Sequence, residues 1–182
     1  GAVSKVYRNN HDNTFTEQSD IELTSVHKGT ARWCDFDNDG DLDILLAGQG
    51  VNGNSFFKIY QNTNRIFVEK PSVLVPFSEG QFDLGDFNKD SYIDIVSTGL
   101  DFSGNKMTNI YKNNGNGTFT LLSTPNIFLL KQGSVAWGDY DTMDFWIFCL
   151  PERTMVTWQK QKFTKTMEMK HLPSKPPFPF WE

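Results

Sequence analysis

Cysteine and histidine are scarce in this chain of 182 residues. The two cysteines, Cys34 and Cys149, are too few for a disulfide framework. The three histidines, His11, His27 and His171, are scattered along the sequence and indicate no metal or catalytic cluster. The motifs GxSxG and HExxH are also missing. The sequence therefore predicts no catalytic residues and no enzyme activity.

Positive charge and long apolar runs are lacking as well. The net charge is −5, which argues against nucleic acid as a partner. No apolar run approaches the roughly 20 residues that span a bilayer, so no membrane insertion is expected. The sequence shows no signal peptide and no initiator methionine, which favours a processed, cloned or truncated start at residue 1.

Aspartate, by contrast, is concentrated between Asp35 and Asp43, where the sequence reads DFDNDGDLD. Carboxylates at alternate positions repel one another, by roughly 1 to 4 kcal/mol for a pair about 4 Å apart. A bound Ca²⁺ removes that repulsion, since calcium prefers oxygen ligands. Gly40 supplies the positive φ that a tight loop needs. A solvated acidic turn is the alternative, but the stretch recurs.

The acidic stretch belongs to a repeat. Its first aspartate recurs at spacings of 51 and 53 residues, as Asp35, Asp86 and Asp139. A glycine six residues earlier and a separate Tyr-x-Asn block recur with the same period, at Gly29, Gly80 and Gly133 and at Tyr7, Tyr60 and Tyr111. A phenylalanine follows each Tyr-x-Asn block, at Phe15, Phe67 and Phe119. Landmarks that share one period of about 52 residues indicate a repeat architecture.

Each repeat is rich in strand signals. Residues 44–48 (ILLAG) and 95–99 (IVSTG) are short apolar or β-branched runs that end in glycine, which predicts strands. Residues 113–117 (NNGNG) are typical of a hairpin turn. No helical periodicity is present. The sequence predicts an all-β fold of β-propeller blades, each with about four antiparallel strands.

These landmarks resemble the FG-GAP or VCBS-type repeats of integrin α-subunit heads and of many secreted bacterial proteins, whose loop is D-x-[DN]-x-D-G-x-x-D. The resemblance covers about residues 1–141. Residues 35–43 match that loop completely, and residues 86–94 match except at Ser91, which stands in place of glycine. The second loop is therefore expected to be strained or weaker.

The resemblance implies Ca²⁺ as the cofactor of both loops. Positions one, three, five and nine would give side-chain oxygens and position seven its carbonyl: Asp35, Asp37, Asp39, Asp43 and Asp41 in turn. In the second loop the corresponding residues are Asp86, Asn88, Asp90, Asp94 and Tyr92. With one fewer carboxylate, the second loop is expected to bind calcium less tightly.

Two other kinds of site fit the sequence less well. An EF-hand loop begins in the same way but needs a bidentate glutamate at position twelve, where this chain has Leu46 in a strand-like run. Magnesium prefers few carboxylates and several waters, which fits this loop less well than calcium.

The third copy begins at Asp139 and then stops matching. Residues 142–182 contain no glycine or asparagine and carry a net charge of +2. We hypothesise a reading-frame shift, because one nucleotide inserted after the codon of Asp141 can restore D-N-D-G-F-L-D-I-L-L and, further on, a Tyr-Asn-Gly block. A natural proline-rich tail is the alternative.

The expected organisation follows from these boundaries. It comprises the end of a preceding blade (1–19), two repeats with calcium loops (20–70 with 35–43, and 71–124 with 86–94), the start of a third repeat (125–141), and an aberrant, disordered tail (142–182). A ring of seven such blades would need roughly 360 residues, so the chain is expected to form an incomplete ring that lacks the remaining blades.

The resemblance implies a calcium-binding, non-catalytic region of an extracellular or cell-surface β-propeller, with a protein or carbohydrate ligand and a role in adhesion. One alternative is a fragment of a secreted polysaccharide lyase or hydrolase. The other is a broken gene product without activity of its own.

Overall fold

The computed structural model describes residues 1–123, 127 and 129–138, together with the backbone of residues 146–150. Within these ranges the chain forms strands and no helix, and hence no helix suited to crossing a membrane. They belong to the compact unit Gly1–Glu152; a second unit, Arg153–Glu182, lies outside the described residues. The strands are β1 (Tyr7–Asn9), β2 (Phe15–Glu17), β3 (His27–Cys34), β4 (Asp43–Gln49), β5 (Ser55–Thr63), β6 (Ile66–Lys70), β7 (Ser78–Gly85), β8 (Asp94–Leu100), β9 (Lys106–Asn113), β10 (Phe119–Leu122), β11 (Ser134–Gly138) and β12 (Trp146–Leu150).

The strands form four antiparallel sheets. Strands β3 to β6 make a four-stranded meander, the first blade, and β7 to β10 make an equivalent one, the second blade. Strands β1 and β2 form a hairpin, and β11 pairs with β12. Two complete four-stranded blades flanked by two-stranded sheets confirm the prediction of an all-β, incomplete propeller.

The first strands of successive sheets lie next to one another, since β7 contacts both β3 and β11. Both β3 and β7 bulge at corresponding places, between His27 and Thr30 and between Ser78 and Gln81. A bulge adds a residue on one strand and bends it. The repeated glycines of the sequence, Gly29 and Gly80, lie in these bulges.

The inner strands β4 and β8 are buried on both faces up to their last residue, which explains why neither shows an alternation of apolar and polar residues. Between the first and second blades lies the largest core cluster, which includes Leu45, Phe57, Ile59, Phe77, Phe82, Ile95 and Tyr111. The opposite face of the first blade packs on the segment before it through Val26, Ile44, Leu46 and Tyr60. The opposite face of the second blade packs on β11 through Val96, Ile110 and Val135. Neighbouring residues of β4 and β8 thus serve different interfaces, as the strand period of two requires.

The repeated tyrosines connect each blade to the segment that precedes it. The Tyr60 hydroxyl accepts a hydrogen bond from the backbone N–H of Thr24 (2.8 Å) and donates one to Oγ1 of Thr24 (2.8 Å). The Tyr111 hydroxyl accepts a bond from the N–H of Val75 at 2.9 Å. The Tyr-x-Asn block of the sequence therefore has a structural role in every complete blade.

The disorder predicted for residues 142–182 is wrong for five of them. Residues Trp146–Leu150 form β12 and pair with β11, because an apolar, aromatic run has high strand propensity and β11 offers an unpaired edge. Cys34 pairs with Asp43 and Gly85 with Asp94, whereas Gly138 pairs with Trp146. The third connection is thus one residue shorter than the other two. The rest of the predicted tail, the frameshift site and Asp139 lie outside the described residues.

Candidate metal centre

The first acidic loop, residues 35–43, joins β3 to β4 and brings three of its carboxylates together. Oxygens of Asp35, Asp37 and Asp39 all lie within 4.8 Å of one another. The loop is shaped by its own backbone donors: Asp35 accepts bonds from the N–H groups of Asp39 and Gly40, both at 3.0 Å. A positive φ of 93° at Gly40 confirms the turn conformation that the sequence predicted there.

Asp37 carries a buried oxygen that lacks a hydrogen-bond partner within the described ranges. Its Oδ1 is buried and has no hydrogen-bond partner among the described residues, while its Oδ2 accepts a bond from Nε2 of Gln61 on β5. Asp37 and Gln61 also line a cleft of about 300 Å³. A buried carboxylate oxygen without a donor is costly unless a cation satisfies it.

Asp43, the ninth residue of the loop, lies outside the group of three and is tied to the backbone. It is fully buried, and its two oxygens accept bonds from the N–H groups of Phe36 (3.0 Å) and Asn62 (2.8 Å). Asp41 likewise accepts a bond from the N–H of Asn64 at 2.9 Å. Each Asp43 oxygen keeps a second lone pair, and the bond at Asp41 involves its carboxylate rather than the backbone carbonyl predicted as the ligand, so both assignments stay predictions.

The second acidic loop, residues 86–94, repeats this framework between β7 and β8. Asp86 accepts bonds from the N–H groups of Asp90 (3.0 Å) and Ser91 (2.7 Å). Asp94 accepts bonds from Phe87 (3.1 Å) and Asn113 (2.8 Å). Ser91 has a φ of 70°, in the region that favours glycine, which agrees with the strain expected at this position.

The second loop differs from the first at the two central positions. Asn88 accepts a bond from the N–H of Asp90 through Oδ1 (3.0 Å), while its Nδ2 is buried without a partner among the described residues. Asp90 forms an ion pair with Lys112 of β9, the Nζ to Oδ2 distance being 3.2 Å. Tyr92 donates its N–H to Asp90 Oδ1 at 3.1 Å, and its predicted role as a carbonyl ligand stays a prediction.

Sequence reasoning missed four residues that support these loops. Gln61 and Lys112 reach the central carboxylates, and Asn62 and Asn113 hold the ninth aspartate. Asn113 also donates to the carbonyl of Phe36 in the first loop at 2.7 Å, which links the two blades. One signal was present: each asparagine follows its aspartate by the same interval in both repeats, 43 to 62 and 94 to 113.

Models of the FG-GAP-like repeat match three overlapping segments, residues 2–46, 35–97 and 86–142. The chain belongs to the FG-GAP-like repeat family. With the antiparallel sheets described above, these matches confirm the resemblance found in the sequence and make the chain a repeat region of an FG-GAP β-propeller. No curated protein and no solved structure matches the chain.

The first FG-GAP-like loop fits a bound calcium ion. Calcium takes oxygen ligands at 2.3–2.6 Å, so oxygens within 4.8 Å of one another, as in the first loop, can surround one ion. The buried Oδ1 of Asp37 needs such a partner. Bound there, a calcium ion would neutralise the converging carboxylates. In the second loop the fit is poorer, because an amide nitrogen of Asn88 occupies the buried, unpartnered position.

The two ninth-position aspartates share an unusual electrostatic environment. Burial raises the pKa of Asp43 to about 6, and the charges of Asp37 and Asp39 add to the effect, although two backbone N–H bonds oppose it. Burial likewise raises the pKa of Asp94 to about 6, against the bonds from Asn113 and Phe87.

We expect these shifts to make the metal-free protein more stable as the pH falls from 7 to about 4. Both carboxyls have a folded-state pKa near 6, above their ordinary value of 3.8. Between those two values the folded state binds more protons than the unfolded state, so stability increases as the pH is lowered. Thermal melts in EDTA between pH 7 and 4 measure the effect.

Carboxyl chemical shifts provide the control for this pH prediction. Hydrogen bonds from Thr14 hold the pKa of Asp12 low, and those from Asn105 hold the pKa of Asp101 low. Both groups should titrate below their ordinary value while Asp43 and Asp94 titrate near 6. Titration of all four in one low range would contradict the prediction.

Proposed function

We propose that this chain is a calcium-stabilised, non-catalytic binding region of an extracellular or cell-surface β-propeller. The observation that carries the proposal is the first loop, where oxygens of Asp35, Asp37 and Asp39 converge and Oδ1 of Asp37 is buried without a partner among the described residues. The calcium has a structural role: it holds the connection between β3 and β4 in a conformation that its carboxylates otherwise oppose.

Two arguments support the extracellular location and the binding role. Calcium outside cells is present at millimolar concentration, which fills even loops of modest affinity. Repetition of blades creates broad surfaces built from loops, on which binding residues are commonly found. The ligand class, protein or carbohydrate, rests on analogy with propellers of this family, and a turnover screen on polysaccharides tests the non-catalytic assignment.

Calcium is expected to raise the melting temperature of the full chain. The melt compares 2 mM CaCl₂ with excess EDTA. A ligand that binds only the native state stabilises it by RT ln(1 + [L]/Kd), about 2.7 kcal/mol at a hundredfold excess over Kd. Asp39→Ala should remove most of this calcium-dependent increment, because it deletes one of the three converging carboxylates.

The increment, rather than the melting temperature itself, is the quantity to compare. Asp39→Ala also deletes the bond that Asp39 Oδ1 accepts from the N–H of Asp41 (2.8 Å), so the variant is expected to melt lower in EDTA as well. Asp20→Ala, which removes an exposed carboxylate outside both loops, serves as the matched control and should keep the full increment. A cooperative transition that is indifferent to calcium would refute the proposal.

A further inference from the structure

In each blade, one strand residue contacts a central carboxylate of the acidic loop, and these two residues occupy equivalent positions but differ in charge. Tyr60 pairs with Ile44 in the first blade and Tyr111 with Ile95 in the second, so the residues that follow these tyrosines occupy the same place. That residue is the neutral Gln61 in the first blade and the cationic Lys112 in the second.

The contacts that Gln61 and Lys112 make with the loops also differ in charge. Gln61 donates a neutral hydrogen bond to Asp37. Lys112 places its ammonium 3.2 Å from Asp90, which takes the fifth position of the second loop as Asp39 does in the first. Among the ion pairs of the described residues, none reaches the first loop.

The loop sequences carry the same contrast in charge. Residues 35–43 contain five aspartates and no basic residue, whereas residues 86–94 contain three aspartates and Lys89. With Lys112 paired to Asp90, the second loop is much closer to neutrality. Carboxylates that already have a cationic partner gain less from a divalent ion, and an ammonium beside the site repels that ion.

The amide of Asn88 agrees with this picture. Its buried Nδ2 offers a hydrogen-bond donor at the position where the first loop offers the unpartnered oxygen of Asp37. Turning the amide so that its oxygen faces the same way would give up the bond from the N–H of Asp90 to Oδ1. The second loop therefore presents fewer free oxygen ligands than its sequence implies.

We infer that Lys112 is the built-in counter-cation of the second loop and that this residue confines tight calcium binding to the first loop. The inference rests on the proposed function in taking calcium as the cation of the first loop. Lys112 acts as a specificity-determining residue: it lets the second loop keep the same backbone conformation without a metal ion.

Exchanging the two residues tests the inference. Calcium titrations by calorimetry on the full chain should show one tight site in the original protein. Lys112→Gln should tighten binding at the second loop by about tenfold or more and add a second measurable site, because a repelling charge close to the ion is removed. Gln61→Lys should weaken the first site by a similar factor.

Melts in EDTA give a readout that does not depend on calcium. Lys112→Gln should lower the melting temperature, since Asp90 loses its cationic partner, and Gln61→Lys should raise it, since the first loop gains a cationic partner. Lys112→Arg keeps the positive charge, so this variant should retain both the melting temperature and the calcium stoichiometry of the original protein. Lys5→Gln, which breaks the exposed ion pair with Glu17 (2.8 Å) in the β1–β2 hairpin, is the matched control.

The outcomes separate the two proposals. Two equivalent calcium sites in the original chain, unaffected by Lys112→Gln, would overturn the inference and leave the proposed function intact. Absence of calcium binding in every variant would overturn the proposed function and the assignment of calcium to the first loop. Even then, melting temperatures in EDTA that move in opposite directions for Lys112→Gln and Gln61→Lys would assign Lys112 as the counter-cation of its loop. Melting temperatures that move in the same direction would overturn that assignment too.

Discussion

Gly80→Ala is expected to abolish the cooperative unfolding transition of the chain. A Cβ at Gly80 would lie 1.8 Å from the carbonyl oxygen of Thr98 and 2.6 Å from Cα of Gly99, both backbone atoms of β8. Backbone atoms cannot rotate away as a side chain can, so β7 and β8 would have to separate at the bulge. We expect a loss of more than about 4 kcal/mol, against a total stability of about 5–15 kcal/mol for a domain.

The first blade offers a second test of the same contact. A Cβ at Gly29 would lie 2.4 Å from the carbonyl oxygen of Ala47, so Gly29→Ala should also destabilise the chain, though less than Gly80→Ala. Gly138→Ala is the matched control, because Gly138 has no left-handed φ and, its chain neighbours apart, no heavy atom of the described residues lies within 4 Å of its would-be Cβ. Far-ultraviolet circular dichroism during heating measures all three variants. Melting of Gly80→Ala within a few degrees of the control would contradict the prediction.

These glycines show what the sequence could and could not predict. Their recurrence six residues before the anchor aspartates was visible in the sequence, but the reason for it was not. The backbone of β8 approaches Gly80 only because the bulge between Ser78 and Gln81 brings the strands together. Such an approach depends on the register between strands, which no local pattern encodes.

Some features of the acidic loops could likewise be predicted from the sequence, and others could not. The positive φ at Gly40 follows from local spacing and is found in the structure, which also brings three of the first loop's carboxylates together, those of Asp35, Asp37 and Asp39. The contacts of Gln61 and Lys112 require β5 and β9 to lie beside loops more than twenty residues earlier in the chain. The fold itself was easier to predict, since the strand period and the repeat spacing are properties of the sequence alone.

The β12 strand marks the opposite limit. Its five residues have the composition of a strand, but they follow a break in the repeat, and the repeat pattern argued against any structure there. Strand propensity and an available edge at β11 outweighed the missing motif. The end of the repeat motif shows where the sequence stops resembling the family, but it does not show where strands stop. Strand pairing depends on whether the neighbouring strand has an edge free for hydrogen bonding.

The second large effect is expected at the interface between the blades, for Phe57→Ala. Phe57 is only 4% exposed and projects from β5 of the first blade. Its ring centroid lies 5.1 Å from that of Phe77 and 5.0 Å from that of Phe82, both of the second blade or the segment just before it. Removing a buried aromatic ring leaves a cavity and costs about 3–5 kcal/mol. Urea unfolding followed by circular dichroism measures the loss.

Phe102→Ala is the control, since Phe102 is 91% exposed in the turn between β8 and β9 and its removal should change stability by less than about 0.5 kcal/mol. A loss that small for Phe57→Ala would mean that the blades do not stabilise each other through this cluster.

The shape of the unfolding curve is as informative as its midpoint. Repeat proteins are stabilised by the repeats and by the interfaces between them, so a weakened interface should broaden the transition as the blades begin to unfold separately. Calcium in the first loop should then protect the first blade more than the second. In the unaltered chain both blades should respond together, because the aromatic cluster and the bond from Asn113 to the Phe36 carbonyl join them. A sharp single transition in Phe57→Ala would place the coupling at the loops instead.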